Sequence, residues 1–227
     1  MQNAIIKGLV DIKKAVTNVT TAYKVQCVYS HNRICKRSNK TMIKGSITEL
    51  IPATLAQRRE IYDWCFNSDT TKYHAGENYP SNEIPTFEEF CEDYEDYYFK
   101  DTGKSRGRGF IITHENKQIG FINYACYHLK PHKAELDIWL SSESNLGKGY
   151  GTDAIVSLCN YLASELGIQE LIMRPSGKNT SAVKSYSKAG FEKTDASPSC
   201  YLLDEYIEAY GDGDYGAEET VTMIKRV

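Results

Sequence analysis

Residues Leu146-Gly147-Lys148-Gly149-Tyr150-Gly151-Thr152 place three glycines between an expected strand and the start of a long helix. Glycine lets the backbone approach a ligand closely, and the unpaired N–H groups at a helix start favour an anion. A pyrophosphate is the natural guest, and a plain turn is the competing reading. The loop is not a P-loop, because no Gly-Lys-Ser/Thr follows it, and it lacks G-x-G-x-x-G spacing. Downstream, Asn179-Thr-Ser-Ala-Val-Lys-Ser-Tyr-Ser-Lys-Ala-Gly-Phe191 forms a second motif. Upstream, Glu135 and Asp137 lie two residues apart, which puts both carboxylates on one face of a strand. The histidines (31, 74, 114, 128 and 132) show no metal-ligand spacing with the cysteines, so no metal is expected.

These residues need elements to hold them. Ile43 to Ile51 reads as a strand, and Thr54 to Phe66 as a helix with Leu55, Ile61, Tyr62 and Cys65 as core positions. A polar loop from Asn67 to Pro85 leads to a second helix with Thr86 as its N-cap and Glu88 and Glu89 in its first turn. Strands are expected at Gly109–His114, Gln118–His128 and Ala134–Leu140, the first two joined by the turn Glu115-Asn116-Lys117. Gly149–Leu166 is a long helix, with Ala154, Ile155, Leu158, Tyr161, Leu162 and Leu166 at helical spacing. A strand at Gln169–Arg174, a helix at Thr180–Ala189 closed by Gly190, and strands at Phe191–Thr194 and Thr220–Arg226 complete a mixed α/β or α+β order.

The 227-residue chain is long enough to bury a core, and no window approaches 18 uninterrupted apolar residues, which excludes a membrane-spanning helix. Seven widely spaced cysteines, odd in number and without a C-x-x-C pair, argue for reduced thiols and a cytoplasmic protein. Charge divides the chain near Met42. Residues 1–41 carry eight Lys/Arg against Asp11 alone, and the remainder carries 19 basic and 29 acidic side chains. The basic segment opens with Ile5, Ile6, Leu9, Val10, Ile12 and Val16, the pattern of a short amphipathic helix. The overall net charge of −3 argues against a nucleic-acid partner.

Taken together, the two motifs resemble the GNAT superfamily of acetyl-CoA-dependent N-acetyltransferases, over about Met42 to Val227. In that family the loop after the fourth strand reads Gln/Arg-x-x-Gly-x-Gly/Ala and binds the pyrophosphate of coenzyme A. Gly149 and Gly151 are in register, and Leu146 stands where Gln or Arg is usual. The downstream pattern matches at Asn179, Ala182, Tyr186, Lys188, Gly190 and Phe191. The resemblance implies a mixed, mostly antiparallel central sheet flanked by helices, with residues 1–41 as an N-terminal extension on a 42–227 domain. It implies acetyl-CoA as co-substrate, held by Trp139, Leu140, the 146–152 loop, Asn179, Ala182 and Tyr186.

Within the superfamily the likeness is greatest to aminoglycoside 6′-N-acetyltransferases and the ribosomal-protein acetyltransferases. The former place an Asp at the position of Asp137, where it acts as base toward the amine. Glu135 is the reserve base, Tyr186 the acid that protonates the departing thiolate, and a backbone N–H near Trp139–Leu140 the oxyanion donor. Trp64 and Tyr73 would lie near the acceptor pocket. One departure matters: Arg174-Pro175 puts a cation where those enzymes commonly carry Asp-Pro.

Two acidic tracts bear on the acceptor. Glu88 to Asp101 holds seven acids, interleaved with aromatic residues, and Asp195 to Glu219 holds eight acids with no Lys or Arg. Both read either as solvated faces or as a means of concentrating a polycation. Three functions follow as alternatives: acetylation of a small cationic amine, including an antibiotic or a polyamine; acetylation of a protein N-terminus or lysine; and acyl-CoA sensing without turnover. The superfamily allows a homodimer, for which the sequence carries no signature.

Overall fold

The computed structural model describes residues 42–75 and 84–227. The basic segment 1–41, with its expected amphipathic helix, lies outside the described residues, as do positions 76–83 of the expected polar loop. The strands are β1 (Ile43–Lys44), β2 (Glu49–Pro52), β3 (Gly107–His114), β4 (Lys117–Ala125), β5 (Lys133–Leu140), β6 (Glu170–Met173), β7 (Glu192–Lys193) and β8 (Met223–Arg226). Among the described residues they form one sheet in the order β1-β2-β3-β4-β5-β6-β8-β7. Every pairing is antiparallel except β5 with β6. That parallel pair needs a crossover, which the helix Tyr150–Leu166 supplies.

The expected strand from Ile43 to Ile51 is two strands joined by a tight turn, and the reason is one carboxylate. Asp153 accepts hydrogen bonds from the backbone N–H groups of Ser46, Ile47 and Thr48 and from the Thr48 hydroxyl, at 2.7 to 3.1 Å. Gly45 closes this turn through Gly45 N–H to the Thr48 carbonyl at 2.8 Å. A Cβ at residue 45 would stand 2.3 Å from Asp153 Oδ2, so any side chain there would have to push that carboxylate aside. The next hairpin turns at Glu115 and Asn116, both at positive φ, the geometry that matches the twist of the flanking strands. Strand β4 therefore starts at Lys117, one residue before the sequence reading placed it, and it ends at Ala125 rather than His128.

Two layers of helix cover the sheet. On one side lie α1 (Arg58–Phe66) and α3 (Phe87–Asp93), with the short α2 (Thr71–Ala75) inside the segment expected to be loop. Helix α3 starts as its sequence predicts. The Thr86 hydroxyl accepts from Glu89 N–H at 3.2 Å, and the Glu89 carboxylate accepts from Thr86 N–H at 2.7 Å. These helices close over an aromatic core containing Tyr62, Phe90, Tyr98, Phe121 and Trp139.

On the other side, α4 (Tyr150–Leu166) packs Ile155, Leu158 and Leu162, all fully buried, against the sheet. Each contributes about 1.5–3 kcal/mol through removal from water. Gly149 at φ +83° opens this helix and Gly167 at φ +64° closes it. Helices α5 (Thr180–Lys188) and α6 (Ile207–Tyr210) complete the set. Among the described residues no helix is long and apolar enough to cross a membrane.

Candidate active site

The parallel ladder between β5 and β6 stops at the pair Glu135↔Ile172. Beyond it the strands part, and a cleft of about 530 Å³ occupies the gap. Ser141 N–H bonds the Ile119 carbonyl at 2.9 Å, which fixes the alternation along β5. Residues 135, 137 and 139 turn their backbone toward β4, while 136, 138 and 140 turn theirs toward the open edge. Ile138 N–H is taken by the carboxylate of Asp137 at 2.9 Å, and the Leu140 carbonyl by the Thr70 hydroxyl at 2.7 Å. The Leu140 N–H faces the cleft, whereas that of Trp139 belongs to the ladder. Of the two backbone donors the sequence offered, Leu140 is the one the geometry selects.

At one end of the cleft is the glycine loop. Gly147 and Gly149 take φ of +72° and +83°, values that strain any residue with a Cβ. The first intrahelical bond of α4 runs from Asp153 N–H to the Gly149 carbonyl. The N–H groups of Tyr150, Gly151 and Thr152 therefore have no partner within the helix. Leu146, Gly147, Gly149, Tyr150, Gly151 and Thr152 all line the cleft, and Lys148 does not. Asn179 caps α5 by accepting from Ala182 N–H at 3.0 Å and reaches back to donate to the Tyr73 carbonyl at 3.1 Å. Thr152 and Ser185 join the two helices by a 2.8 Å hydroxyl pair. An opened helix terminus flanked by positive-φ glycines suits a pyrophosphate, so the donor set fits the group inferred from the sequence.

The other end is carboxylate-lined. Asp137 is exposed on the cleft wall, although protein atoms crowd around its carboxylate. The Tyr94 hydroxyl donates to its Oδ2 at 2.9 Å. Burial among protein atoms, reinforced by the charge of Asp214, pushes its carboxyl up to about 6. Asp214 is raised as well, by burial first, even though Arg174 opposes the shift. Tyr186, half-buried on α5, lines the same cleft, and burial together with Asp137 raises its phenol well above the ordinary tyrosine range. A carboxylate that gains and loses its proton near neutrality thus shares a cleft with a phenol that stays protonated.

Several sequence expectations change here. Glu135 is no reserve base. Arg174 grips it with Nε at 2.6 Å and Nη2 at 3.0 Å, and His128 Nε2 lies 2.7 Å from it. Burial disfavours its ionisation, but Arg174 and His128 outweigh that and hold it at about 2. Arg174 in turn presents no unopposed cation to the cleft. Its side chain is 7% exposed, and it is tied to Glu135 and to the Tyr210 carbonyl.

Trp64 does not line the cleft; it projects from α1 and packs against the aromatic core. Tyr73 does line it and donates to Glu143 at 3.0 Å. Of the acids from 195 to 219, Asp214 is the one in the cleft lining, while Glu219 bonds Ser176 and Lys178. In the other tract Glu89 is a cap, Glu95 pairs with Arg106, Asp96 with Arg58 and Lys100, and Asp101 with Arg108. Sequence reasoning missed Thr70, Asn123 and His128. Strand register alone would have found Asn123, which sits directly opposite Asp137. Among the described residues no cluster of His, Cys, Asp or Glu is suited to a metal ion.

The acetyltransferase (GNAT) domain family matches residues 48–192, nearly two thirds of the chain. The chain belongs to this family. An aminoglycoside N(6′)-acetyltransferase type 1 from Klebsiella pneumoniae is 33% identical over 73 residues, which span 30% of this chain and 36% of that relative. Its likeness therefore covers only about a third of the relative's length. Among solved structures, aminoglycoside acetyltransferase AAC(6′)-Ib in complex with coenzyme A and kanamycin superposes with a TM-score of 0.57 at 19% identity, covering 79% of this chain and 94% of that one. Spermidine N-acetyltransferase from Vibrio cholerae, in complex with coenzyme A and spermine, gives a TM-score of 0.56 at 20% identity, covering 80% and 96%. These two likenesses show that the chain shares their fold.

Proposed function

We propose that the protein transfers an acetyl group from acetyl-CoA to a primary amine on a small cationic acceptor. The observation that carries this reading is that one cleft joins the anion-suited glycine loop to the Asp137–Asp214 end, with Tyr186 along the way. The relatives act on, or are solved with, amines such as kanamycin and spermine, which supports a polycationic guest.

In this reading the backbone N–H groups of Tyr150, Gly151 and Thr152 hold the pyrophosphate of the co-substrate, and the β5 edge at Leu140 lies alongside its arm. Bound acetyl-CoA supplies a thioester whose C–S bond breaks as the C–N bond to the acceptor forms. Asp137, ionised above about pH 6, takes the proton that the acceptor's ammonium must lose before its nitrogen becomes nucleophilic. Leu140 N–H is the donor for charge developing on the carbonyl oxygen. Tyr186 holds the proton that the departing sulfur needs. Asp214 supplies a second negative charge for a second ammonium of the acceptor. Holding both substrates in one cleft supplies much of the remaining rate.

The test is incubation with acetyl-CoA and kanamycin, spermidine or short peptides, with products identified by mass. Monoacetylated kanamycin or spermidine is the expected product. Acetylation confined to the peptides would overturn the small-acceptor reading.

A further inference from the structure

The wall around Asp137 contains two buried polar atoms without a hydrogen-bond partner among the described residues: Nδ2 of Asn123 and Nδ1 of His128. Asn123 is 3% exposed and His128 4%, and both line the cleft. Asn123 stands directly opposite Asp137 in the β4–β5 ladder, so the amide and the carboxylate project from the same face of the sheet. His128 is held in place through Nε2 by Glu135, which Arg174 fixes from its other side. Burying polar atoms without partners is costly, and such atoms in a cleft mark where a ligand supplies the missing bonds.

Each of the two atoms asks for a hydrogen-bond partner. Nδ2 of Asn123 is a donor and needs an acceptor. Nδ1 of His128 offers a lone pair when Nε2 carries the only ring proton and an N–H when both nitrogens are protonated. An ammonium group has no acceptor and gives nothing to Nδ2. A hydroxyl both donates and accepts.

We propose that Asn123 and His128 are specificity residues that read hydroxyl groups next to the reacting amine, so that the preferred acceptors are hydroxylated amines rather than plain polyamines. This rests on the transferase reading above for its reaction, although the recognition itself does not require turnover.

The minimal probe pair is 1,3-diamino-2-propanol and 1,3-diaminopropane, which differ by one hydroxyl. Their kcat/KM ratio and their equilibrium binding by NMR titration are compared in the parent protein, in Asn123→Ala and in His128→Phe. The parent is expected to favour the hydroxylated diamine by about tenfold or more. Each variant brings the ratio toward one by raising KM for the hydroxylated diamine alone, while coenzyme A affinity, the check on folding, stays within about twofold. Asn123→Ser, which retains a donor, keeps part of the preference. Equal treatment of the two diamines by the parent, or equal loss of both in the variants, would overturn the proposal. A hydroxyl preference in binding with no acetylated product would uphold it and overturn the transferase reading instead.

Discussion

Asp137 and Glu135 are neighbours on one strand face, yet their surroundings drive them in opposite directions. Burial and Asp214 carry Asp137 up to about 6, while Arg174 and His128 hold Glu135 at about 2. The base is active when deprotonated, so kcat/KM for an amine acceptor should fall as pH drops through about 6. A pH–rate profile measures this directly, and the limb should vanish in Asp137→Asn. For Glu135 the effect is on stability. Its folded value lies below an unfolded value of about 4.3, so its contribution is complete above that pH and is lost as pH falls toward 2. Urea midpoints measured between pH 5 and 3 should therefore fall less steeply in Glu135→Gln than in the parent. The sequence made Asp137 and Tyr186 legible because each sits at a fixed offset within a motif. Arg174 was misread because its charge was visible and its partner, 39 positions away in the chain, was not.

At the scale of elements, the position of α4 relative to the β1–β2 hairpin depends on Asp153, whose carboxylate binds the hairpin turn at Ser46, Ile47 and Thr48. Gly45→Ala places a methyl 2.3 Å from that carboxylate and must displace it. The expected cost is about 1–3 kcal/mol, read from the urea midpoint, together with weaker coenzyme A binding because the first turn of α4 moves. Helix α4, with its buried stripe, was legible nearly to the residue, and the start of α3 was legible from its capping box. The β1–β2 break was not, because Ile43, Ile47 and Ile51 mimic the spacing of one continuous strand. The turn comes instead from a long-range contact, with Asp153 more than 100 residues away. Helix α2 was hidden because its five residues are too few to show a period.

For the molecule as a whole, the cleft exists because β5 and β6 pair over three residues and then part. No local pattern encodes where two strands diverge, so the site was legible as two motifs and not as one cavity. Of the two acidic tracts, Glu89 is a cap, Glu95, Asp96, Asp101 and Glu219 are ion-pair partners, and Asp214 lines the cleft, where it joins Asp137 in attracting a polycation. The KM for spermidine or kanamycin should rise as salt is raised from 0.05 to 0.5 M (roughly a threefold drop in screening length), and the KM for a monoamine should change less.

Thiol release from acetyl-CoA with a polycationic amine, run in the parent and in Asp137→Asn beside calorimetric titration of coenzyme A, tests the account most directly. It should show steady turnover in the parent, a fall in kcat of about 10²–10⁴-fold in the variant, and coenzyme A affinity unchanged within about twofold. Undiminished turnover in Asp137→Asn, or a parent that binds coenzyme A tightly and acetylates no amine, would contradict it.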